Sequence, residues 1–515
     1  LVKVLKLFYI EIEFLTFGFK FFIFNLEKIW LLMDTRVIKR LEEIVGRENV
    51  LTSIENKIAY SYDATPTFAG LPDAVVIPQT TEHVSQILKL ANEENFGVVP
   101  RGSGTGLSGG AVPLPNSIIL LMNRWRKIIE IDTENLTALV EPGVITAQIH
   151  QAVESLGLFY PPDPGSMTIS TIGGNVAENA GGLRGLKYGV TKNYVLGLEV
   201  VLPTGEIVNI GGKNVKDVAG YNLKDVLIGS EGTLAVFTKI LLKLIPKPQS
   251  SKTMLAFFDS IKSAGKTVSD IISNHITPAT LEFLDNVTIR CVEDYAHLGL
   301  PVNAGALLLI EVDGHPAQVD EEAQKIEEIC RKNNATDFKI AHSDAEAINL
   351  KTARRSAFAA LARVKPTTIL EDATVPRSAV PEMVEKIQEI ANKYQIIIGN
   401  FGHAGDGNLH PTALTDERDK EEMKRVEQAF EEIFDYALKL GGTITGEHGV
   451  GLAKRRFLEK QFNEAGIEFM RKIKRALDPN GVLNPGKIFD LKRPRCEGRL
   501  PLSREEIEKY KDLWV

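Results

Sequence analysis

Short apolar runs alternate with longer amphipathic segments over most of the chain. The stretch TEHVSQILKLANEEN at 81–95 predicts a helix. Apolar stretches at 196–208 and 232–246 predict strand pairs that follow glycine-rich segments. The pattern therefore predicts an α+β domain at 70–248, preceded by a polar, helical segment at 33–70.

Helices and strands alternate again after residue 248. The predicted strands contain LEFLD, ALLLIEVDG and IIIGNFGHAG, and amphipathic segments separate them. This alternation predicts a second α+β domain at 249–440. Residues 441–490 are glycine-rich and then helical, and residues 491–515 form a charged tail.

The first 32 residues differ from the rest of the chain. They begin with Leu1 and are rich in Phe, but Lys and Glu residues interrupt the apolar run. No uninterrupted apolar stretch approaches the roughly 18 residues that a membrane span needs. We interpret 1–32 as an upstream leader ahead of a start at Met33, and an anchor on a membrane surface is the alternative.

Composition narrows the class of protein. The net charge of −7 argues against nucleic acid as a partner. Three cysteines, Cys291, Cys330 and Cys496, lie far apart without a CxxC motif. That spacing excludes a disulfide framework, a cysteine zinc site and an iron–sulfur cluster held by this chain alone. The sequence predicts a reducing, cytoplasmic setting, either free or peripheral at the inner face of the membrane.

Two histidines flank a predicted turn in NFGHAGDGNLHP, residues 400–411. Asp406-Gly407 is a favoured two-residue hairpin turn. With that turn, His403 pairs directly with His410, and their Cβ atoms lie roughly 5 Å apart on one face. This arrangement suits two imidazoles that bind one metal ion. Two surface histidines on a hairpin are the alternative at this point.

A glycine-rich loop at 100–113 predicts a phosphate site. GTGLSG satisfies the GxGxxG pattern of dinucleotide-binding folds, but Pro113 and Pro115 follow where that motif must open a helix. A Rossmann fold is therefore rejected. Successive backbone N–H groups of such a loop still form an anion nest, and a flexible linker is the alternative.

Two further stretches extend this predicted site. Residues 161–195 offer Ser, Thr and Asn donors but few cations, which suits a long, partly apolar cofactor held by backbone bonds. GSEGTLAV at 229–236 is the third stretch. In order and spacing these stretches resemble the FAD-binding domain of vanillyl-alcohol-oxidase-type flavoproteins. With its C-terminal half, the chain resembles the FAD-linked D-2-hydroxyacid dehydrogenases, which include glycolate oxidase flavoprotein subunits and D-lactate dehydrogenases.

The resemblance implies an α+β fold with a vanillyl-alcohol-oxidase/PCMH-type FAD-binding domain. An α+β cap domain binds the substrate, and the C-terminal segment returns to the flavin. The FAD is bound non-covalently, because relatives that attach the flavin through this loop carry a His where Thr105 stands. The implied FAD contacts are Arg101, Gly102, Ser103, Gly104, Thr105, Gly106, Leu107, Ser108, Gly109, Pro164, Gly165, Ser166, Thr171, Gly173, Gly174, Asn179, Gly181, Gly182, Gly189, Val195, Glu231, Gly232, Thr233, Asn484 and Lys487.

The motif GEHGVG at 446–451 completes the predicted reaction centre. Glu447 joins His403 and His410 as a metal ligand, a set that suits Zn²⁺, with Mn²⁺ or Fe²⁺ as alternatives. Glycines on both sides let the chain bend so that Glu447 and His448 serve one pocket. His448 is the expected general base for the substrate hydroxyl, while the C2 hydride passes to the flavin.

The substrate carboxylate requires a cation. KTARRSAFAALARVKP offers Arg354 and Arg355 at what reads as a helix start, and the resemblance favours Arg354. Where relatives that oxidise 2-hydroxyglutarate carry a second cation, this chain has Leu370, and Pro411-Thr412 also departs from them. Glycolate or D-lactate is therefore the predicted substrate.

Three other functions stay open at this point. They are D-2-hydroxyglutarate dehydrogenase, an ether-lipid-forming synthase on the same fold, and a non-catalytic flavin-binding subunit. The predicted electron acceptor is an iron–sulfur subunit, an electron-transfer flavoprotein or a quinone, rather than NAD.

Overall fold

A computed structural model describes residues 33–489. The predictions for 1–32 and 491–515 lie outside the described residues. Within the described part, no helix is both long and apolar enough to cross a membrane.

The first sheet has four strands, joined by two parallel pairings and one antiparallel pairing. Its strands are β1 (Val50–Leu51), β2 (Ala74–Val76), β3 (Gly97–Arg101) and β4 (Ser117–Leu121), in the order β1-β2-β4-β3. The accompanying helices are α1 (Thr35–Val45), α2 (Ile54–Ala59) and α3 (Thr81–Glu94). The helix predicted at 81–95 is confirmed: Thr80 caps its first turn and Asn95 ends it in the left-handed region. The C-terminal segment returns to this sheet, because Val98 bridges in parallel to Leu483.

The second sheet has five antiparallel strands, which include both strands of the stretch 196–208 and the longer strand of the stretch 232–246. Its strands are β5 (Ile128–Asp132), β6 (Thr137–Val140), β8 (Val195–Val201), β9 (Ile207–Gly211) and β10 (Val236–Lys243), in the order β5-β6-β10-β8-β9. A separate pair consists of β7 (Leu158–Phe159) and β11 (Ile245–Pro246). The helices of this region are α4 (Thr146–Glu154), α5 (Ile172–Glu178), α6 (Gly185–Tyr188) and α7 (Leu223–Leu227).

The third sheet is antiparallel and has eight strands. They are β12 (Ser250–Phe258), β13 (Thr280–Asp285), β14 (Ala306–Gly314), β15 (Ala335–Ile340), β16 (Thr367–Leu370), β17 (Ala373–Thr374), β18 (Ile397–His403) and β19 (Asn408–Thr415). The order is β15-β12-β14-β13-β18-β19-β16, and β17 pairs with β19.

Helices cover both faces of the third sheet, so its strands are apolar on both sides. They are α8 (Ile261–Ser273), α9 (Asn286–Ala296), α10 (Pro316–Lys332), α11 (Asp344–Arg355), α12 (Ala357–Leu361), α13 (Val380–Tyr394) and α14 (Lys420–Lys439). In β12, Met254 and Ala256 pack with α8, α10, α13 and α14, while Leu255 and Phe257 pack with α9, α11 and α12. The short α15 (Leu458–Gln461) and the longer α16 (Glu464–Leu477) precede the returning segment.

The segment after the first glycine loop is not helical. Residues 102–116 form turns and bends and lead into β4 rather than into a helix. This observation agrees with the rejection of a Rossmann fold, since the prolines remove the N–H groups that a helix needs.

Candidate active site

The two histidines lie on adjacent strands, but not in the predicted register. His403 pairs with Asn408, and His410 pairs with Phe401. The predicted direct pairing of His403 with His410 is therefore wrong. The connection is a loop of four residues, 404–407, in which the N–H groups of Asp406 and Gly407 both donate to the carbonyl of His403. Because the slip is two residues, both imidazoles still share one face, with ring centroids 5.1 Å apart.

Glu447 joins the two imidazoles. Its Oε1 atom lies 3.2 Å from His403 Nε2 and 3.3 Å from His410 Nε2. One ligand atom from each of the three residues lies within 4.8 Å of the others, and both histidines are buried. Two imidazole nitrogens and one carboxylate oxygen form a donor set that fits Zn²⁺ or another divalent transition metal.

The charges of the three side chains also fit a cation site. Burial lowers the pKa of His410 to about 4, so its ring is neutral and can act as a ligand. At His403, burial is outweighed by Glu282 and Glu447, which raise its pKa well above the usual value. At Glu447, burial raises the pKa, but the neighbouring His403 lowers it by more. The pKa of this carboxyl therefore lies well below its usual value. A divalent cation would therefore take the place of the His403 proton.

A buried carboxylate shapes the loop that carries Glu447 and His448. Asp372 Oδ2 accepts hydrogen bonds from the N–H groups of Gly446, Glu447 and His448 at 2.6, 2.8 and 3.3 Å. Its Oδ1 atom accepts from the Thr445 hydroxyl at 2.9 Å and pairs with Lys454. Three successive N–H groups that converge on one carboxylate oxygen bend the chain. This contact explains how two adjacent residues face one pocket.

The flanking glycines have different tasks in this bend. Gly449 adopts φ +84°, a conformation that disfavours other residues. Gly446 instead permits close approach, because a Cβ there would collide with the side chains of Thr374 and Asn408.

His448 lies beside the three proposed ligands. Its ring stacks on that of His410, with centroids 5.1 Å apart and planes 14° apart. Its Nε2 atom is 3.9 Å from Glu447 Oε1, and its Nδ1 atom is 3.5 Å from Asp372 Oδ1. His448 is thus held next to the site without serving as one of the three clustered ligands.

Arg354 is connected to this cluster through one intervening side chain. It lies at the end of helix α11, not at a helix start as predicted. Its Nε atom donates to Glu282 Oε2 at 2.6 Å, and its guanidinium lies over the Phe401 ring at 4.7 Å. Glu282 Oε1 lies 2.7 Å from His403 Nδ1. Arg354 and His403 are therefore joined through one carboxylate. The neighbouring Arg355 is exposed.

The first glycine loop is held by residues that the sequence analysis did not single out. The Gly109 N–H donates to Thr65 Oγ1 at 2.8 Å, and Asp63 Oδ2 accepts from the Ala111 N–H at 3.4 Å. The N–H of Ala64 donates to the carbonyl of Gly106. Arg101 is buried at the end of β3. The segment SYDATP, residues 61–66, therefore packs against the loop and is hydrogen-bonded to it.

Three segments converge on this loop: the stretch at 229–236, the motif at 446–451 and the C-terminal segment with Asn484 and Lys487. Asn484 Nδ2 donates to the carbonyl groups of Gly110 and Glu231 at 3.0 and 2.7 Å. Lys487 Nζ donates to the Val112 carbonyl at 2.6 Å, and burial lowers its pKa to about 7. Glu231 in turn accepts from the N–H groups of Val450 and Gly451. The predicted residues of the loop, the third stretch and the C-terminal segment thus surround one region.

The second predicted stretch closes the same region. A Cβ on Gly102 would collide with Thr171, which caps α5, and Asn179 ends that helix at φ 55°. Gly182 approaches the Asp163 backbone, and a Cβ on Gly181 would lie 2.7 Å from Glu447 Oε2. The remaining members lie around this helix or in the adjoining turns and strand: Pro164 to Ser166 in a turn, Gly173 and Gly174 in α5, Gly189 after α6, Val195 at the start of β8, and Gly232 and Thr233 before β10.

The region also has the polar atoms that FAD requires. Five buried side-chain atoms on these segments lack a hydrogen-bond partner within the described residues: Arg101 Nε, Ser108 Oγ, Ser170 Oγ, Glu178 Oε2 and Ser230 Oγ. Buried polar atoms are normally paired, so this concentration fits a bound polar cofactor. Burial, together with Glu231, raises the pKa of Glu178 well above its usual value, so this side chain can donate a hydrogen bond.

Glu282, Asp372, Asp63 and Glu178 are the site residues that the sequence analysis missed. Glu282, Asp372 and Asp63 are buried acids without a motif around them, whereas Glu178 is half-buried and lies inside the second glycine-rich stretch. A weak indication existed for Glu282, which lies in the otherwise apolar strand sequence TLEFLD and therefore requires a buried partner.

Two family models match the chain. One, described as FAD binding domain, matches residues 72–211, and one, described as FAD linked oxidases, C-terminal domain, matches residues 247–488.

Curated relatives cover almost the same part of the chain. Glycolate oxidase subunit GlcD of Bacillus subtilis (strain 168) is 56% identical over 458 residues, which cover 89% of this chain and 97% of the relative. Glycolate oxidase subunit GlcD of Escherichia coli (strain K12) is 41% identical, with 88% and 91% covered. D-lactate dehydrogenase of Archaeoglobus fulgidus is 38% identical, with 84% and 95% covered.

Solved structures agree in fold. p-Cresol methylhydroxylase with bound substrate has a TM-score of 0.74 at 20% identity and covers 88% of this chain and 97% of its own. Alkyldihydroxyacetonephosphate synthase has a TM-score of 0.70 at 19% identity, with 88% and 86% covered. These likenesses confirm the predicted vanillyl-alcohol-oxidase/PCMH-type fold. The chain is therefore an FAD-linked oxidoreductase and belongs to the family of FAD-linked D-2-hydroxyacid dehydrogenases.

Proposed function

We propose that this protein oxidises a small D-2-hydroxy acid, glycolate or D-lactate, to the 2-oxo acid. The main support is the juxtaposition of His403, His410 and Glu447 with His448 and with Gly181 of the FAD-binding segments. The names of the relatives, glycolate oxidase subunit and D-lactate dehydrogenase, support the same substrate class.

His403, His410 and Glu447 are proposed to hold the divalent cation, with Zn²⁺ favoured over Mn²⁺ or Fe²⁺. When bound, the cation polarises the hydroxyl and carboxylate of the substrate, and non-covalently bound FAD accepts two electrons and the C2 hydrogen as a hydride. The cofactor-binding residues are those of the three glycine-rich stretches together with Asn484 and Lys487.

His448 is proposed to receive the hydroxyl proton. Its ring stacks on that of His410, its Nδ1 atom lies 3.5 Å from Asp372 Oδ1, and its Nε2 atom lies on the side of Glu447. An oriented imidazole is an efficient acceptor for a hydroxyl proton near neutral pH. The nearby Asp372 carboxylate would favour the imidazolium that forms when the ring takes up the proton.

Arg354 is proposed to bind the substrate carboxylate. Its Nε atom already donates to Glu282, so the Nη atoms provide the edge that faces the substrate. The hydrogen bond to Glu282 and the Phe401 ring beneath the guanidinium fix the direction of that edge. A fixed planar guanidinium binds a carboxylate through two bonds.

The preference for a small monocarboxylate rests on the two departures noted in the sequence. Leu370 and Thr412 are directly opposed on β16 and β19, so they form one patch. Neither side chain offers a cation to a second carboxylate. A substrate with one carboxylate, such as glycolate or D-lactate, is therefore favoured over D-2-hydroxyglutarate.

The electron acceptor is proposed to be another molecule: an iron–sulfur subunit, an electron-transfer flavoprotein or a quinone. The name of the two glycolate oxidase relatives includes the word subunit, which supports a protein partner.

The proposed function is tested by anaerobic mixing of the purified flavoprotein with a panel of acids. We expect glycolate or D-lactate to bleach the flavin band faster than L-lactate or D-2-hydroxyglutarate does. Preferential bleaching by D-2-hydroxyglutarate would contradict the proposed substrate, and no bleaching by any of the acids would contradict an enzymatic role. Acid precipitation should release the flavin into the supernatant, because Thr105 replaces the attachment residue.

A further inference from the structure

Glu282 is fully buried in strand β13 and contacts two functional side chains at once. Its Oε1 atom lies 2.7 Å from His403 Nδ1, and its Oε2 atom accepts a hydrogen bond from Arg354 Nε at 2.6 Å. The proposed role of His403 is to bind the cation, and that of Arg354 is to bind the substrate carboxylate. One carboxylate thus connects the two.

The contact fixes which nitrogen of His403 is available. A carboxylate only accepts hydrogen bonds, so His403 must donate from Nδ1. The lone pair of the neutral ring then lies on Nε2, which faces Glu447 at 3.2 Å. Such carboxylate–histidine contacts orient a metal ligand and increase its basicity.

The same carboxylate fixes Arg354. The guanidinium is held by Glu282 at Nε and by Phe401 on its face, and its side chain is 10% exposed. A buried guanidinium without a carboxylate partner is strongly unfavourable. Glu282 therefore stabilises Arg354 in its buried position and leaves the Nη atoms free of this hydrogen bond.

We infer that Glu282 is a positioning residue shared by the metal ligand His403 and the carboxylate-binding Arg354. This inference rests on the proposed function. It makes metal binding and substrate binding depend on one side chain that need touch neither the cation nor the substrate. Loss of Glu282 should therefore weaken both, whereas a change confined to the Arg354 head group should weaken substrate binding alone.

The first test is Glu282→Gln, measured by titrating metal-free, FAD-loaded protein with Zn²⁺ in competition with a chromophoric chelator. We expect the Zn²⁺ affinity to fall about 10–100-fold, since an amide no longer imposes one His403 tautomer. The KM for glycolate or D-lactate should rise in the same variant. Arg354→Lys should raise KM but leave the Zn²⁺ affinity unchanged.

Asp285→Asn is the matched control. Asp285 lies on the same strand and is equally buried, but it caps helix α9 and accepts a hydrogen bond from the Asn400 N–H. Its substitution should lower stability without changing Zn²⁺ affinity. If Glu282→Gln does not fold, Glu282→Asp keeps the charge and should still lose Zn²⁺ affinity, because the shorter side chain withdraws from His403.

The outcomes separate two failures. If the parent protein binds Zn²⁺ and Glu282→Gln or Glu282→Asp binds it equally tightly, the positioning role of Glu282 is wrong while the metal centre stands. The same conclusion holds if Asp285→Asn loses as much affinity as Glu282→Gln. If the parent protein binds neither Zn²⁺ nor Mn²⁺, the metal centre itself is wrong, and the role of Glu282 toward it is wrong as well.

Discussion

Replacing Asp372 by Asn should destabilise the protein. It should also displace the loop that carries Glu447 and His448. Asp372 is fully buried and accepts three backbone N–H groups, one hydroxyl and the ammonium of Lys454. An amide can neither accept all of these hydrogen bonds nor neutralise Lys454. We therefore expect the loop to lose its bend.

The magnitude follows from the contacts. Removing one partner of a buried ion pair costs about 3–5 kcal/mol. Lys454 retains Glu371, whose Oε2 atom lies 3.2 Å from Nζ, so the loss of stability should lie near the lower end, about 3 kcal/mol. Flavin reduction should slow by about 10²–10⁴-fold, because the loop also positions the proposed general base.

The effect should depend on pH in one direction. Burial of Asp372 is outweighed by Lys454 and His448, so its pKa is depressed in the folded protein. A depressed folded pKa contributes stability that is present above the unfolded value, about 3.9, and is lost as pH falls toward the folded value. The difference between the parent and Asp372→Asn should therefore be constant above pH 5 and shrink below pH 4, about where the unfolded carboxyl titrates.

Urea unfolding at several pH values and anaerobic stopped-flow flavin reduction measure the two effects. The double variant Asp372→Asn/Lys454→Met is the control, because it removes the unpaired ammonium and should recover part of the stability but not the rate. If Asp372→Asn unfolds within about 1 kcal/mol of the parent and reduces its flavin at the same rate, the carboxylate does not hold the loop.

Three other predictions concern single side chains. His448→Gln should slow flavin reduction by about 10²–10⁴-fold with metal and FAD content unchanged; an unchanged rate would remove His448 as the base. Arg354→Lys should raise KM, since Lys cannot form two parallel bonds, whereas Arg355→Lys is the control and should leave KM unchanged; equal effects would contradict the assignment of Arg354. In FAD-free protein, burial and then Glu231 raise the pKa of Glu178 in the folded state. The free energy of unfolding should therefore fall as pH rises above about 4.3, the pKa of a glutamate in the unfolded chain, because only the unfolded chain ionises there. Glu178→Gln should remove that fall, so its melting-temperature advantage should grow from pH 5 to pH 8, and a constant difference would contradict the raised pKa.

The glycine-rich stretches could be predicted because their chemistry is local, whereas the vanillyl-alcohol-oxidase/PCMH-type fold was predicted from the family resemblance. Glycine spacing followed by Pro113 and Pro115 excludes one class of nucleotide site within a few residues, without knowledge of the geometry of the loop at 102–116. The convergence of Gly102, Gly181 and Glu231 on one region could not be derived from spacing, and it entered through the family resemblance.

The hairpin shows where local prediction failed. Asp406-Gly407 is a favoured two-residue turn, yet the connecting loop has four residues. In that loop, the N–H groups of Asp406 and Gly407 both donate to the carbonyl of His403. A Cβ on Gly407 would collide with the Val375 carbonyl, and the Val375 N–H donates to the Gly407 carbonyl, so a segment distant in the sequence packs against this loop. Turn preference alone does not include such contacts.

Isolated acids were missed for a related reason. Asp372 and Glu282 carry no motif, and their partners lie 72 to 121 residues away from them in the chain. Only the fold brings these partners together. An acid inside an apolar strand indicates that a partner exists, but not which residue it is.

The central claim, that a cation held by His403, His410 and Glu447 prepares the substrate for oxidation, is tested most directly by removing that cation. Anaerobic stopped-flow mixing with glycolate or D-lactate should show rapid flavin bleaching in the metal-loaded protein. After chelation, bleaching should stop while FAD stays bound, and added Zn²⁺ or Mn²⁺ should restore it. Full-rate bleaching of metal-free protein would contradict the claim.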